Sequence, residues 1–216
     1  MSTWTAGQDM AKRKRTYHHG ELRQALVHAV VAHARDSGTV GDLTLREAAR
    51  RAGVSHNAPY RHFADKESIL AAAAAEGFAD LTANLRAARA GVTDPVHRFV
   101  RTGLAYLQFA HDRRGHLTVM FGPESAKAAT PDLHRHANDA FTVLEEMVGD
   151  AGIAPGLEAR RLGTVVWSFL HGLAVLTLQK HVPSSVACAP EQLAELGLRR
   201  LFTALGAGAA GRRSYR

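Results

Sequence analysis

Residues 162–178, LGTVVWSFLHGLAVLTL, are 17 of the 18 residues of the longest stretch of the chain without a charged side chain, which ends at Gln179, with Ser168 and His171 as polar interruptions. The run falls short of the roughly 20 apolar residues that a membrane-spanning helix needs. It sits inside a longer helical segment, 156–182, that is apolar nearly all round, with Leu162, Val165, Val166, Phe169, Leu170, Leu173, Leu176 and Leu178. A helix apolar on every side has to be covered on more than one side. In a chain of 216 residues the second cover is read as another subunit.

Helical spacing runs through the rest of the sequence, and no run of alternating β-branched residues competes with it, so the expected fold is all-α. Leu22, Ala25, Leu26, Ala29, Val30 and His33 mark one face of a first helix ending near Gly38. Thr44 and Glu47 have the spacing of a capping box, which opens a second helix. Its apolar face is Leu45, Ala48, Ala49 and Ala52, and Gly53 supplies the left-handed stop. Asp65 caps a long helix from Lys66 to about Ala90, and Asp94-Pro95 opens the next by the cap-then-proline rule. A short apolar segment beyond Gly115, a helix from Pro131, the segment 156–182 and a last helix from Pro190 to Gly206 complete the reading. It divides the chain into a basic arm (1–19), a unit at 20–65, a helical unit at 66–208 and a basic tail (209–216).

Charge is distributed unevenly along this series. Residues 1–66 carry 11 Lys/Arg against 6 Asp/Glu, a net of +5, whereas residues 67–216 carry 16 against 14, a net of +2. An excess confined to one end points to a polyanionic partner for that end, and nucleic acid is the obvious one. The single cysteine, Cys188, excludes an internal disulfide and a four-cysteine zinc site. The basic run Lys12-Arg13-Lys14-Arg15 is followed by no apolar segment of the secretory kind. A cytoplasmic protein without membrane attachment is therefore expected.

Between Gly53 and Lys66 the stretch GVSHNAPYRHF reads as a turn followed by a short helix, despite Pro59 near its middle. With Ser55 as N-cap, His56, Asn57 and Ala58 become the first three helical residues. Pro59 is then fourth, where it deletes only the first ladder bond. Tyr60 and Phe63 would pack inward, leaving His56, Asn57, Arg61 and His62 more exposed. Helix, glycine turn, short helix is the helix-turn-helix order.

The segments LTLREAARRAGVS and PYRHFADKESIL, with Ala52-Gly53-Val54, Tyr60-Arg61-His62-Phe63 and Lys66 at these spacings, resemble the TetR family of transcription regulators from about Tyr17 to Leu70. Two positions depart from that pattern: Pro59 stands where the family has a bulky aliphatic residue, and Ala49 is smaller than the usual β-branched one. The resemblance implies a three-helix DNA-binding domain with a helix-turn-helix, joined to a helical ligand-binding domain that dimerises through its last two long helices. It also implies roles at the matching positions. His56, Asn57 and Ala58 would approach base edges beside the capping Ser55, Asn57 being able to bond adenine and Ala58 to touch a thymine methyl. Tyr60, His62, Thr44 and Lys66 would grip phosphates, and Arg46 and Arg61 could do either. Thr44 has its capping task regardless, and Tyr60 could be half core. The basic arm is either a solvated tail or a phosphate and minor-groove contact.

Trp167 with His171-Gly172 resembles a subgroup carrying a Trp and a His-Gly pair in the penultimate helix, where Gly172 would let another helix approach closely. By this reading Trp167 and His171, one turn apart, line a ligand pocket with Phe99, Tyr106, Phe109, Met120 and Phe121; the alternative is that all of these are core side chains. His18-His19 and His134-x-His136 lack the further ligands a metal site needs, and Cys188 lacks a cationic activator. No phosphate loop, dinucleotide fingerprint or nucleophile elbow occurs, so neither enzymatic activity nor a cofactor is expected. The expected function is a homodimeric, ligand-responsive regulator, most often a repressor, with a duplex operator and a small, partly hydrophobic effector as partners. A sequence-indifferent architectural DNA binder is the alternative.

Overall fold

The structure, a computed structural model, describes residues 19–213 except 125, 126, 129, 154 and 155, with backbone alone at 19, 156 and 207–213. The basic arm lies outside the described residues, as do the side chains of His18 and His19. Eight α-helices follow one another among the described residues: α1 (His19–Ser37), α2 (Leu45–Ala52), α3 (Lys66–Arg89), α4 (Pro95–Asp112), α5 (Arg114–Phe121), α6 (Pro131–Asp150), α7 (Gly156–Leu178) and α8 (Pro190–Arg213). Two short 3₁₀ turns, Pro59–Arg61 and Ser184–Val186, interrupt the series, and no strand occurs among the described residues.

Local chemistry sets most helix starts. Asp65 accepts from the Ser68 N–H at 2.7 Å while the Ser68 hydroxyl accepts from the Asp65 N–H at 3.2 Å, a reciprocal cap at the head of α3. Asp94 accepts from the His97 N–H at 2.7 Å ahead of Pro95, and Thr130 accepts from the Leu133 N–H at 3.2 Å ahead of Pro131. Each such cap contributes about 1 kcal/mol. The expected box at Thr44 forms only half: Thr44 Oγ1 accepts from the Glu47 N–H at 3.1 Å, but the Glu47 carboxylate turns to Arg50 and Arg51 instead of back to residue 44. Two guanidinium groups within reach hold a carboxylate better than one backbone N–H does.

The last two long helices differ in extent from the sequence expectation. α7 stops at Leu178, and Lys180 takes a positive φ of 57° that ends it. By length and composition alone Leu157–Leu178 could cross a bilayer, with a mean hydropathy of 1.4, because the helix begins a turn before the charge-free run. In this fold it packs against α4, α6 and α8, with Val166, Leu170 and Ala174 buried. α8 continues past Gly206 to Arg213, so the first part of the expected basic tail is helical.

One continuous apolar core joins the two units. Leu26, Val30, Leu45, Ala48, Phe63 and Ile69 knit α1, α2 and the head of α3, while Leu85, Phe99, Val143, Val148, Leu170 and Leu198 do so for α3, α4, α6, α7 and α8. α5 lies against both α1 and α3. At Gly115 a Cβ would stand 2.4 Å from the Val31 carbonyl oxygen of α1, so only glycine permits this approach.

Candidate nucleic-acid interface and ligand cavity

The segment between α2 and α3 is not the short α-helix expected from its spacing. Gly53, at φ 71°, ends α2 with its N–H on the Arg50 carbonyl, while the Val54 N–H reaches back to Ala49 at 3.0 Å. Ser55 then contributes its backbone carbonyl, which accepts from the Ala58 N–H at 2.9 Å. A true helix would need the residue-59 N–H on that carbonyl, and proline has none. The chain therefore closes one turn over residues 55–58 and starts again with Pro59 at the head of the 3₁₀ turn, where its fixed φ fits. The His62 and Phe63 N–H groups both donate to the Pro59 carbonyl at 2.9 Å.

This geometry sorts the side chains. Pro59 and Phe63 are buried, and the Arg23 guanidinium lies 5.4 Å above the Phe63 ring. Tyr60 does not join them: it is 54 % exposed. Thr44, Arg46, Ser55, His56, Asn57 and Arg61 are exposed, and Ala58, His62 and Lys66 half-buried. All ten expected DNA-contact residues thus lie between the start of α2 and the start of α3. The Lys66 ammonium donates to the Gly41 carbonyl at 2.7 Å, tying the first turn of α3 to the loop ahead of α2.

Charge pairing divides the arginines of this unit. Glu47 accepts from Arg50 at 2.7 and 2.8 Å and from Arg51 at 3.0 Å, and Arg51 also reaches Asp36 at 3.1 Å. The bond from Arg50, reinforced by Arg51, holds the Glu47 carboxyl down to about 2. Arg46 and Arg61 have no carboxylate partner among the described residues, as is true also of Arg23, which lies over the Phe63 ring; Arg46 and Arg61 are thus exposed cations open to a polyanion.

In the second unit an apolar cavity of about 270 Å³ opens between α3, α4, α6 and α7. Tyr106, Phe121 and Trp167 of the expected pocket residues line it. Phe99, Phe109 and Met120 do not: all three are buried in the core, with Phe99 set edge-on to Phe202 at 5.5 Å. The walls that sequence reasoning missed are Phe78, Leu81 and Leu85 of α3 and Ala137, Asn138, Ala140, Phe141 and Leu144 of α6, with Arg160 from α7. Helical spacing of Phe78, Leu81 and Leu85 put them on one face, but nothing local separates a cavity wall from a core contact. Arg160 lies 5.2 Å above the Phe141 ring and pairs with Glu145 at 3.3 Å.

His171 stands behind this wall. The Trp167 indole N–H donates to the Tyr106 hydroxyl oxygen at 3.3 Å, and the hydroxyl lies 2.8 Å from His171 Nδ1. Tyr106 is almost completely buried, and burial raises its phenol well above the ordinary range, so it stays protonated. Its O–H then donates to Nδ1, which assigns the imidazole proton to Nε2. Burial also pushes His171 below the usual histidine value, favouring this neutral form. Among the described residues no group of three or more His, Cys, Asp or Glu is placed to hold a metal ion.

Two family models match the chain: residues 40–73 match the bacterial regulatory proteins of the tetR family, and residues 99–201 match the tetracyclin repressor-like C-terminal domain. Among solved structures, a protein of unknown function from Rhodococcus sp. RHA1 is similar at 30% identity and TM-score 0.74, covering 89% of this chain and 100% of its own. A regulatory protein of the tetR family from Rhodococcus RHA1 superposes at TM-score 0.67 with 20% identity, covering 86% of this chain and 97% of its own. A regulatory protein designated SCO4313 does so at TM-score 0.68 with 20% identity, covering 84% and 95%. No curated protein matches the chain.

Proposed function

Because the chain belongs to the TetR family of transcriptional regulators, and is thus a ligand-responsive DNA-binding protein, we propose how its own residues divide that work. His56, Asn57 and Ala58, carried on a turn rather than a helix, read base edges in the major groove, with Ser55 setting the turn that aims them. Arg46 and Arg61, free of carboxylate partners among the described residues, together with Thr44, Tyr60, His62 and Lys66, hold phosphates. The basic arm adds further phosphate or minor-groove contacts. The architectural alternative finds no support in the family match.

The observation that carries the effector reading is the cavity itself: about 270 Å³, walled by Phe78, Leu81, Phe141, Leu144 and Trp167, with Asn138 and Arg160 as its polar groups. Such a site suits a small, partly hydrophobic molecule with one hydrogen-bonding or acidic group. The dimer face is drawn from α7 and α8. Val165, Leu176 and Leu196 are 48, 47 and 56 % exposed there, and a Cβ on Gly172 would meet nothing of its own chain within 4 Å. A second copy laid on this face covers the apolar side that α4 and α6 leave open. The protein acts in the cytoplasm as a non-enzymatic binding module.

Regulation follows as a population shift. An effector that fits the cavity better in one dimer arrangement moves the two recognition surfaces off their half-site spacing and releases the operator, which makes the output repression. A near-complete switch needs about 5 kcal/mol of differential affinity. Operator binding must weaken the effector by the same factor that effector weakens operator. Selection of bound duplexes from a random pool, followed by effector titration with and without the selected operator, tests both steps. Equal effector affinity in the two titrations refutes the switch, and no enrichment over random duplex refutes specific recognition.

A further inference from the structure

A second opening lies where the two units meet, between α1, α5 and α7, with a volume of about 340 Å³. It shares Phe121 with the effector cavity but is otherwise built from different residues. Leu117 and Val175 join Phe121 as apolar wall, and the cations Arg35 and Arg114 stand on the α1 and α5 sides. Among the described residues no carboxylate lines it, although Glu124 Oε2 lies 3.5 Å from where a Cβ on the lining residue Gly122 would stand. Asp36 takes up part of Arg35 at 3.1 Å, whereas the Arg114 guanidinium has no ion-pair partner among the described residues. His171 also faces this cleft, with Nδ1 engaged by Tyr106 and the remaining proton on Nε2, where it is a hydrogen-bond donor.

The next cleft along the same junction shares Arg35 with it but has a different character. Glu76 and Asp112 line it together with His28, Arg35, Arg113 and His116, so an anion there would meet two carboxylates. Of the two cations of the α1, α5 and α7 cleft, Arg35 is thus partly compensated, whereas Arg114 has no ion-pair partner among the described residues.

We propose that the cleft between α1, α5 and α7 is a second ligand site, distinct from the effector cavity, which takes an amphipathic monoanion: a compact apolar body bearing one carboxylate. The body lies against Leu117, Phe121 and Val175, and the carboxylate meets Arg114 and Arg35. A guanidinium with a free donor edge is the natural partner for a carboxylate. Because one wall belongs to α1 and the others to α5 and α7, an occupant restrains the DNA-binding unit against the regulatory unit.

The test uses 2-naphthoate and its uncharged twin 2-naphthylmethanol, titrated calorimetrically into the full-length protein. Naphthoate binds; Arg114→Gln, a change at an exposed side chain, weakens it about five-fold, the upper range for an exposed ion pair, and leaves the alcohol unaffected. Added salt weakens naphthoate alone. Val175→Trp fills the cleft and removes naphthoate binding, whereas Leu144→Trp, which fills the effector cavity, leaves it intact. The proposal is overturned if naphthoate does not bind, if Arg114→Gln leaves its affinity unchanged or lowers both ligands equally, or if Leu144→Trp abolishes binding while Val175→Trp does not.

Discussion

Around the proposed DNA-facing surface the important side chains point out of the fold and are held by backbone turns, while around the proposed effector cavity they point inward and hold one another. His56, Asn57 and Ala58 owe their position to the Gly53 stop, the residue 55–58 turn and Pro59, all of them backbone devices. Trp167, Tyr106 and His171 owe theirs to a half-buried hydrogen-bond chain and to ring contacts with one another and with Phe121 at 4.6 to 6.4 Å. The first arrangement fixes where a side chain starts but leaves its tip free to meet a partner. The second fixes the side chain itself and costs more to disturb, since an unpaired polar group in the interior loses its water as well as its partner.

The comparison breaks most visibly if charge rather than turn geometry dominates DNA affinity. With the four arm charges and Lys66 of both subunits on phosphates, log K falls with log salt at a slope of about −9, and removal of residues 1–15 flattens it by about 7. A change below about 1, measured by fluorescence anisotropy across a salt series, excludes the arm from the interface.

Within the interior, Tyr106→Phe leaves the Trp167 N–H and His171 Nδ1 without the oxygen they share. The expected loss is about 1–3 kcal/mol of stability in denaturant unfolding, with operator contacts untouched. A neutral result would mean that the chain of bonds is replaceable by water and that it does not stiffen the cavity wall.

At the surface, Pro59→Leu restores the missing N–H and allows a regular helix from Ser55. Base preference at the matching positions then changes by about 1–3 kcal/mol per base pair, read from selected sequences, while the salt slope stays put. Unchanged preference would show that the proline does not aim His56, Asn57 and Ala58.

The pH response separates the two regions more finely. Burial lowers His171, and burial against a smaller opposing pull from Glu76 lowers His116, so below their ordinary value of 6.5 the unfolded chain binds more protons than the folded one. Their contribution is complete above that value and is lost as pH falls through the depressed folded values. A Tm measured by calorimetry should decrease from pH 7.5 to 5.5, and an increase would contradict the neutral assignment of His171. The smallest effect belongs to Glu47→Gln. It frees Arg50 on an exposed face and leaves Arg51 on Asp36, so stability hardly moves, but the salt slope steepens slightly if Arg50 then finds a phosphate.

Much of this architecture was legible in order along the chain because its signals are local. Thr44, Asp65, Asp94-Pro95 and Gly53 mark helix ends through bonds spanning three or four residues, and each of those ends lies where its marker stands. The segment around Pro59 departs from its local reading for a local reason too: without the bond that Pro59 deletes, the chain closes two consecutive turns in place of one short helix. Tyr60 faces solvent rather than the core.

By itself, then, the sequence determined an all-helical chain, the order of its helices, the basic end and the family motif, since each depends on spacing or composition within a few turns. Only the tertiary structure decided that Phe99, Phe109 and Met120 are core while Phe78, Phe141 and Arg160 are wall, that Glu47 serves arginines rather than its own cap, and that Arg35 and Arg114 face one cleft. Those outcomes depend on which helices pack together and at what distance, and a residue's own neighbours in sequence carry no record of that.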